Sequence, residues 1–534
     1  MADERQGGNR VRAAELMGAL SLATDLGMGF PLEHGLHSAL VAMRLCDRLG
    51  VDSETASHAY FVCLLLYIGC TVDADIVAAK FPHGNLVAHF QPVMFGSQRE
   101  TVAGMMRALA DPGAPASIRA LKAATRLPNA LRGHRNHIAA LCEVAQMLSE
   151  RLGVPPAVPD MFAHLTERWD GKAEPGRIRG EEIPLPLRIA HVARDAAFQQ
   201  LIGGIPFAAQ VIDERAGHAF DPEIAGLLAR EAESLLEPMG ERAAWADTLA
   251  AEPKPWLVLE NEAIDRALGA MGHFADLLTP FLVAHSSGVA DLAAHAAKLS
   301  GFPPATVTEV HRAAMVHDLG RVAVSAGIWQ KPGALSIDEW EQVRLHAYHT
   351  ERVLSPSPFL AALIPAATFH HERLDGTGYH RRSTAAAMTA AGRLVAAADR
   401  YQAMTQPRPH RDALPPEQAA GLLSGETGSG GLDPRSVAAV LEAAGHSSQP
   451  ITRPAGLSER EVEVVALLAR GYQTKQIARA LGISPKTADH HVRNSYAKMG
   501  VSTRAAAAVF AMEFGIVAWR EFPIAGSAGQ AQIP

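Results

Sequence analysis

Apolar residues recur at helical spacing along most of the chain, in stretches broken by glycine and proline. Such stretches run from about 13 to 70. They return over 100–160, with Pro-rich joints at 112–116 and 155–159, and over 187–201 after Pro184 and Pro186. Another follows Phe220-Asp221-Pro222. Residues 251–256, Ala-Glu-Pro-Lys-Pro-Trp, read as a joint between domains. Helical patterns resume to about 446. Residues 447–456, Ser-Ser-Gln-Pro-Ile-Thr-Arg-Pro-Ala-Gly, read as a linker. A last stretch runs from Leu457 to about Trp519. Residues 1–12 read as a flexible tail, and 520–534 as a second one. β-branched runs are short, so the pattern predicts an all-α protein.

Composition agrees and narrows the class. At 534 residues the chain should hold about three domains. It is 48% apolar and 20% charged, as in ordinary globular proteins. A net charge of -7 speaks against nucleic-acid binding over the whole surface, though one basic domain would suffice. Cys46, Cys63, Cys70 and Cys142 form no CxxC pair, which predicts a reduced, cytoplasmic compartment. The polar N-terminus has no signal-peptide core behind its charges, and the apolar run Tyr60–Gly69 is too short to span a bilayer.

The two parts before the linker resemble each other. Residues 34–70 lie on 285–321 without a gap: His34 falls on His285, Gly50 on Gly301, and Leu66-Tyr67-Ile68-Gly69 on His317-Asp318-Leu319-Gly320. Further on, Glu167-Arg168-Trp169-Asp170-Gly171 matches Glu372-Arg373-Leu374-Asp375-Gly376, with Leu165-Thr166 in place of His370-His371. Phe220-Asp221-Pro222 answers Leu432-Asp433-Pro434. We read a first copy over 13–250, lacking a metal site, and an intact second copy over 256–446.

The second copy collects His285, His317-Asp318, His346, His370-His371 and Asp399 at helix ends or on inner faces. Such residues are costly in a core unless paired or metal-bound, and together they form a coherent set of N and O ligands. His295 and His349 read as ordinary surface residues. The set resembles the HD-GYP subclass of HD-domain metal phosphohydrolases, over about 280–440. The motifs are His-Asp-Leu-Gly, Lys331-Pro332-Gly333, His346, the HHE-xx-DG-x-GY run of 370–379, Ala398-Asp399 and Arg408-Pro409-His410-Arg411. The resemblance implies an all-α domain with two divalent metals, iron or manganese. Asp318 would bridge them, with His285, His317 and Asp399 on one metal and His346, His370 and His371 on the other. It implies hydrolysis of cyclic di-GMP or a related nucleotide, with Asp318 and Arg321 as catalytic candidates and Arg408 and Arg411 holding substrate phosphate. This sequence departs from the family at Arg321 for lysine, at His380 for the proline of GYP, and at Phe281 and Gln402 for carboxylates associated with a third metal.

Residues 457–518 carry eight Lys/Arg against five Asp/Glu, a net +3 on an acidic chain. Ser458 and Glu461 fit a capping box on a first helix, Thr474 is placed to cap a second over Lys475–Leu481, and Gly482 ends it. Ser484 is placed to cap a third over Pro485–Met499, giving a helix-turn-helix arrangement. The segment resembles the LuxR-type four-helix DNA reader. Lys486, His490 and Arg493 are candidates for base or phosphate contact. Lys475, Thr487 and Lys498 are candidates for holding phosphates. Asp489 replaces a basic residue common in that family. A Glu461 ion pair to Arg504 or Lys498 would be structural.

The combined expectation is two tandem HD-like helical bundles, a linker at 447–456 and a LuxR-type domain at 457–519. It describes a homodimeric, cytoplasmic transcription regulator that senses and hydrolyses a phosphodiester signal and binds promoter DNA. The alternatives are a metal and nucleotide sensor without turnover, and a plain phosphohydrolase with a vestigial DNA reader.

Overall fold

The computed structural model describes residues 10–69, 95–96, 98–109, 125, 140–173, 176–236, 244–428, 430–445, 454–513 and 516. Residues 1–9, Cys70, the joint at 112–116, the linker up to 453 and the tail from 520 lie outside them. The regular structure of the described residues is almost entirely helical, as expected, and includes no helix long and apolar enough to cross a membrane. One small sheet is the exception: Arg10–Arg12 pairs antiparallel with Val258–Glu260. The expected tail therefore stops short of Arg10. The Arg12 guanidinium pairs with Glu252 and sits 4.1 Å over the Trp256 ring, so the 251–256 joint is tied down. Cys46, Cys63 and Cys142 are free thiols, and burial pushes Cys46 up to about 12.

The chain divides into two compact units. The first comprises 1–278, 318–328 and 341–364, and contains the helices Ala13–Met28, His34–Leu49, Ser53–Leu65, Leu185–Arg215, Glu262–Asp276 and His346–Leu354. The second comprises 279–317, 329–340 and 365–534, and contains His285–Leu299, Pro304–Val316, Ala390–Thr405, Pro434–Gly445 and the C-terminal helices.

The repeat holds in backbone detail. The residue before each leading histidine is a non-glycine in the left-handed region, Glu33 at φ 73° and Ala284 at φ 59°, a conformation uncommon for such residues. A Cβ on Gly69 would lie 2.2 Å from the Leu141 carbonyl oxygen, and one on Gly320 would lie 2.1 Å from that of His346. Both glycines are therefore needed for a close helix approach, and Leu141 stands where His346 does. Glu167 accepts from the Arg177 amide at 2.8 Å, as Glu372 accepts from those of Arg381 and Ser383 at 3.1 and 2.7 Å. Arg188 pairs with Asp221 at 2.6 Å, and Arg393 with Asp433 at 3.7 Å. The spacing that matches Glu167 to Glu372 and Arg188 to Arg393 places Arg194 on Asp399. In the first copy Arg194 and Tyr67 touch each other, the guanidinium 3.9 Å over the ring. Where the second copy has two aspartates, the first has a cation stacked on an arene.

The C-terminal segment forms four helices, Glu459–Ala469, Thr474–Ala480, Pro485–Met499 and Arg504–Glu513. Val464, Leu467, Ile477, Leu481 and Ala488 make the core of the first three. The Ser458–Glu461 capping box and the Ser484 cap form as expected. The second helix takes Gln473 as its N-cap residue, not Thr474, which is the first helical residue. The Gln476 side chain reaches back and accepts from the Gln473 amide at 2.7 Å, which starts the helix one residue earlier.

Candidate metal centre

In the second unit, His285 opens its helix and His317 follows the last turn of Pro304–Val316. Asp399 lies inside Ala390–Thr405. These three offer ligand atoms within 4.8 Å of one another, as do His370 and His371. His285 Nε2 is 3.1 Å and His317 Nε2 3.8 Å from Asp399 Oδ1, and His371 Nδ1 is 3.7 Å from Oδ2. The His317 and His370 rings meet edge to face at 4.7 Å. In the first unit, Asp318, the residue after His317, has Oδ1 3.3 Å from His346 Nε2 and Oδ2 2.7 Å from Arg321 Nη2. Asp318, Arg321 and His346 are all buried.

Burial by itself would push the Asp399 carboxyl up. The neighbouring imidazoles of His285 and His317, with the charge of His371, outweigh it and hold the group well below the usual carboxylate range. Asp399 is thus an anion facing three imidazoles.

The histidine tautomers follow from their partners. His317 Nδ1 lies 2.6 Å from the Ala314 carbonyl oxygen, His370 Nδ1 2.7 Å from that of Ala367, and His346 Nδ1 2.5 Å from that of Val343. His285 Nδ1 lies 2.9 Å from Gln406 Oε1. Carbonyl oxygens only accept, so each Nδ1 carries a proton, and Nε2 is the nitrogen left to face a cation and to give up its own proton to it. This is the outer hydrogen-bonding pattern of metal-ligating histidines. These residues therefore fit divalent cations. His371 is held differently, its ring stacked on Tyr379 at 4.3 Å. The sequence reading missed Gln406 and the three carbonyls. Only Tyr379, inside the recognised motif, carried a signal.

The arginines expected to hold phosphate are committed to main chain. Arg408 Nη1 donates to the Phe281 carbonyl at 2.6 Å. Arg411 donates to the carbonyls of Ala403, Met404 and Gln406 and so caps the end of Ala390–Thr405. Of the other motif residues, Lys331 pairs with Glu339 at 2.6 Å.

In the C-terminal segment Lys475, Lys486, Thr487, His490, Arg493 and Lys498 are all exposed. Lys486, His490 and Arg493 share one face at helical spacing. Arg493 pairs with Asp489, which reduces its free charge. Lys498 Nζ is 2.6 Å from Glu461, whereas Arg504 caps the turn at Gly471 and Tyr472, so the structural ion pair uses Lys498.

The first copy retains only His34. Leu66, Tyr67, Leu141, Leu165, Thr166 and Arg194 take the other six positions, and its described residues form no group of three metal-capable side chains.

Comparison with known proteins agrees with this arrangement. The HD domain model matches residues 97–224 and 270–436, together more than half of the chain. The model of bacterial regulatory proteins of the luxR family matches 455–511. The chain is 28% identical over 439 residues to 3'3'-cGAMP-specific phosphodiesterase 3 of Vibrio cholerae, covering 82% of this chain and 95% of that protein. It is 36% identical over 137 residues to a cyclic di-GMP phosphodiesterase of Thermotoga maritima, covering 25% and 37%. A crystal structure of a cyclic GMP-AMP specific phosphodiesterase of V. cholerae shares the fold, with TM-score 0.55 and 24% identity over 83% of this chain and 99% of that one. The chain belongs to the HD-domain family, among relatives of the HD-GYP phosphodiesterase type, and ends in a luxR-type domain.

Proposed function

We propose that this chain is a metal-dependent phosphodiesterase for a cyclic dinucleotide, 3',3'-cGAMP or cyclic di-GMP, whose state is read out by a DNA-binding domain. The observation that carries the reading is the common tautomer of His285, His317, His346 and His370, each with Nδ1–H bound to a carbonyl oxygen. In this reading 13–250 is the inert copy and 256–446 the active one. His285, His317 and Asp399 would hold one cation and His346, His370 and His371 a second, with Asp318 available to either. Two divalent cations, iron or manganese, would supply Lewis-acid polarisation of the phosphodiester and an acidified water. The carbonyls and Gln406 hold the imidazoles with Nε2 left to face a cation, Tyr379 orients His371, and Arg321 balances Asp318. Arg408 and Arg411 hold substrate phosphate only through donors not spent on main chain.

The luxR-type domain binds promoter DNA, with Lys486, His490 and Arg493 in the major groove and Lys475 and Thr487 on phosphates. The protein acts as a cytoplasmic homodimer. The test is turnover of both dinucleotides by protein loaded with Mn or Fe, together with metal analysis. About two metals per chain and turnover that vanishes in Asp318→Ala support the enzyme. A second reading, a sensor that binds without turnover, is favoured by the Arg321–Asp318 ion pair at 2.7 Å, since a fixed guanidinium competes with metal for that carboxylate. Tight nucleotide binding with no product would select it.

A further inference from the structure

Asp399, Gln402 and Gln406 follow one another at intervals of three and four residues, along and just past the helix Ala390–Thr405. Residues at that spacing share a helix face. Two of them bracket His285: Asp399 Oδ1 is 3.1 Å from its Nε2, and Gln406 Oε1 is 2.9 Å from its Nδ1. Gln402 lies between them and is fully buried at 0% exposure. Neither its Oε1 nor its Nε2 has a hydrogen-bond partner.

Burying a polar group without a partner is unfavourable, and a leucine of similar volume would fill the space without that cost. A carboxamide is neutral across the ordinary pH range, so protonation cannot relieve it. Its neighbours on the same face have partners. The unpaired pair of atoms is therefore best explained by a group that enters the site.

Resting on the metal reading above, we infer that Gln402 is a positioning residue: its carboxamide hydrogen-bonds an oxygen held beside Asp399 and His285. The oxygen belongs to a water or to a phosphate. Oε1 suits a water proton, and Nε2 suits either oxygen.

The test uses the full-length chain, stripped of metal and then titrated with MnCl2 alone and with MnCl2 plus inorganic phosphate, followed by thermal melting. Metal-free Gln402→Leu should melt at or above wild type. Its rise in Tm should be half that of wild type or less, with Mn alone if a water is held and with Mn plus phosphate if an anion is held; Gln402→Glu, which keeps an acceptor but no donor, should recover the rise for the water and not for the anion. A deficit with Mn alone identifies the water, and one confined to Mn plus phosphate identifies the anion. Gln402→Met serves if the leucine variant does not fold. A packing role would lower metal-free and metal-loaded melts equally and overturn the inference, as would wild-type rises in both apolar variants. A wild type whose Tm does not respond to Mn overturns the metal reading and this inference together. A response kept in every variant overturns this inference alone.

Discussion

Of the six exchanges between the two copies, one reverses a charge. Asp399, an anion among imidazoles, corresponds to Arg194, a buried cation stacked on Tyr67. A guanidinium repels a metal and also occupies its space. Asp399→Arg should therefore lower metal content by at least one ion per chain and abolish any phosphodiesterase turnover. Asp399→Asn separates the charge from the bulk, and elemental analysis reads both. Gln406 makes a gentler case. It donates from Nε2 to the Val283 carbonyl at 3.4 Å while accepting from His285, so it sets both the ring's tautomer and its direction. Gln406→Leu should weaken metal binding about 10–100-fold, the usual cost of losing such a partner. Competition with a metal-sensitive dye would measure it.

At the level of elements, the luxR-type domain depends on one buried carboxylate. Burial would raise the Glu461 carboxyl, but Lys498 and the Ser458 amide and hydroxyl outweigh it and hold it below the ordinary 4.5. Because the folded value is depressed, its stabilisation is complete above the unfolded value and fades as pH falls through the folded one. Melting of this domain should weaken below about pH 4.5 in wild type and do so less in Glu461→Gln. At neutral pH that variant should lose about 1 kcal/mol, the typical value of a helix cap. The turn before His285 offers the opposite effect. Ala284 sits at φ 59° with a Cβ that disfavours it. Ala284→Gly should relieve about 1 kcal/mol of local strain, visible as a higher Tm in metal-free protein.

For the whole molecule, binding to DNA should be modest and salt-dependent, because Asp489 and Glu461 engage two of the expected cations. Lys475→Ala should lower affinity across all sequences and reduce the slope of log K against log salt by about 1, as read by fluorescence anisotropy. Much of this organisation was legible along the chain. The helical class, the matching stretches, the order of the seven clustered His and Asp residues and the capping box all depend on residue types at short spacing, and local physics acts on such spacing directly. What the chain did not mark were the groups that complete each site. His285 meets Gln406 from 121 positions away, and Leu141 takes the place of His346 through an approach to Gly69 that no spacing announces. The carbonyls of Ala314, Val343 and Ala367 are main-chain groups that every residue possesses. Which of them is left free to accept from a histidine depends on where each helix ends. Arg411 and Lys498 read as ligand-facing cations in sequence because a charge does not name its partner. Residue types thus decided which chemistry was available to this protein. The packing of distant segments decided which lone pairs, cations and carbonyls were left to perform it, because hydrogen bonds and ion pairs form between groups that meet in space.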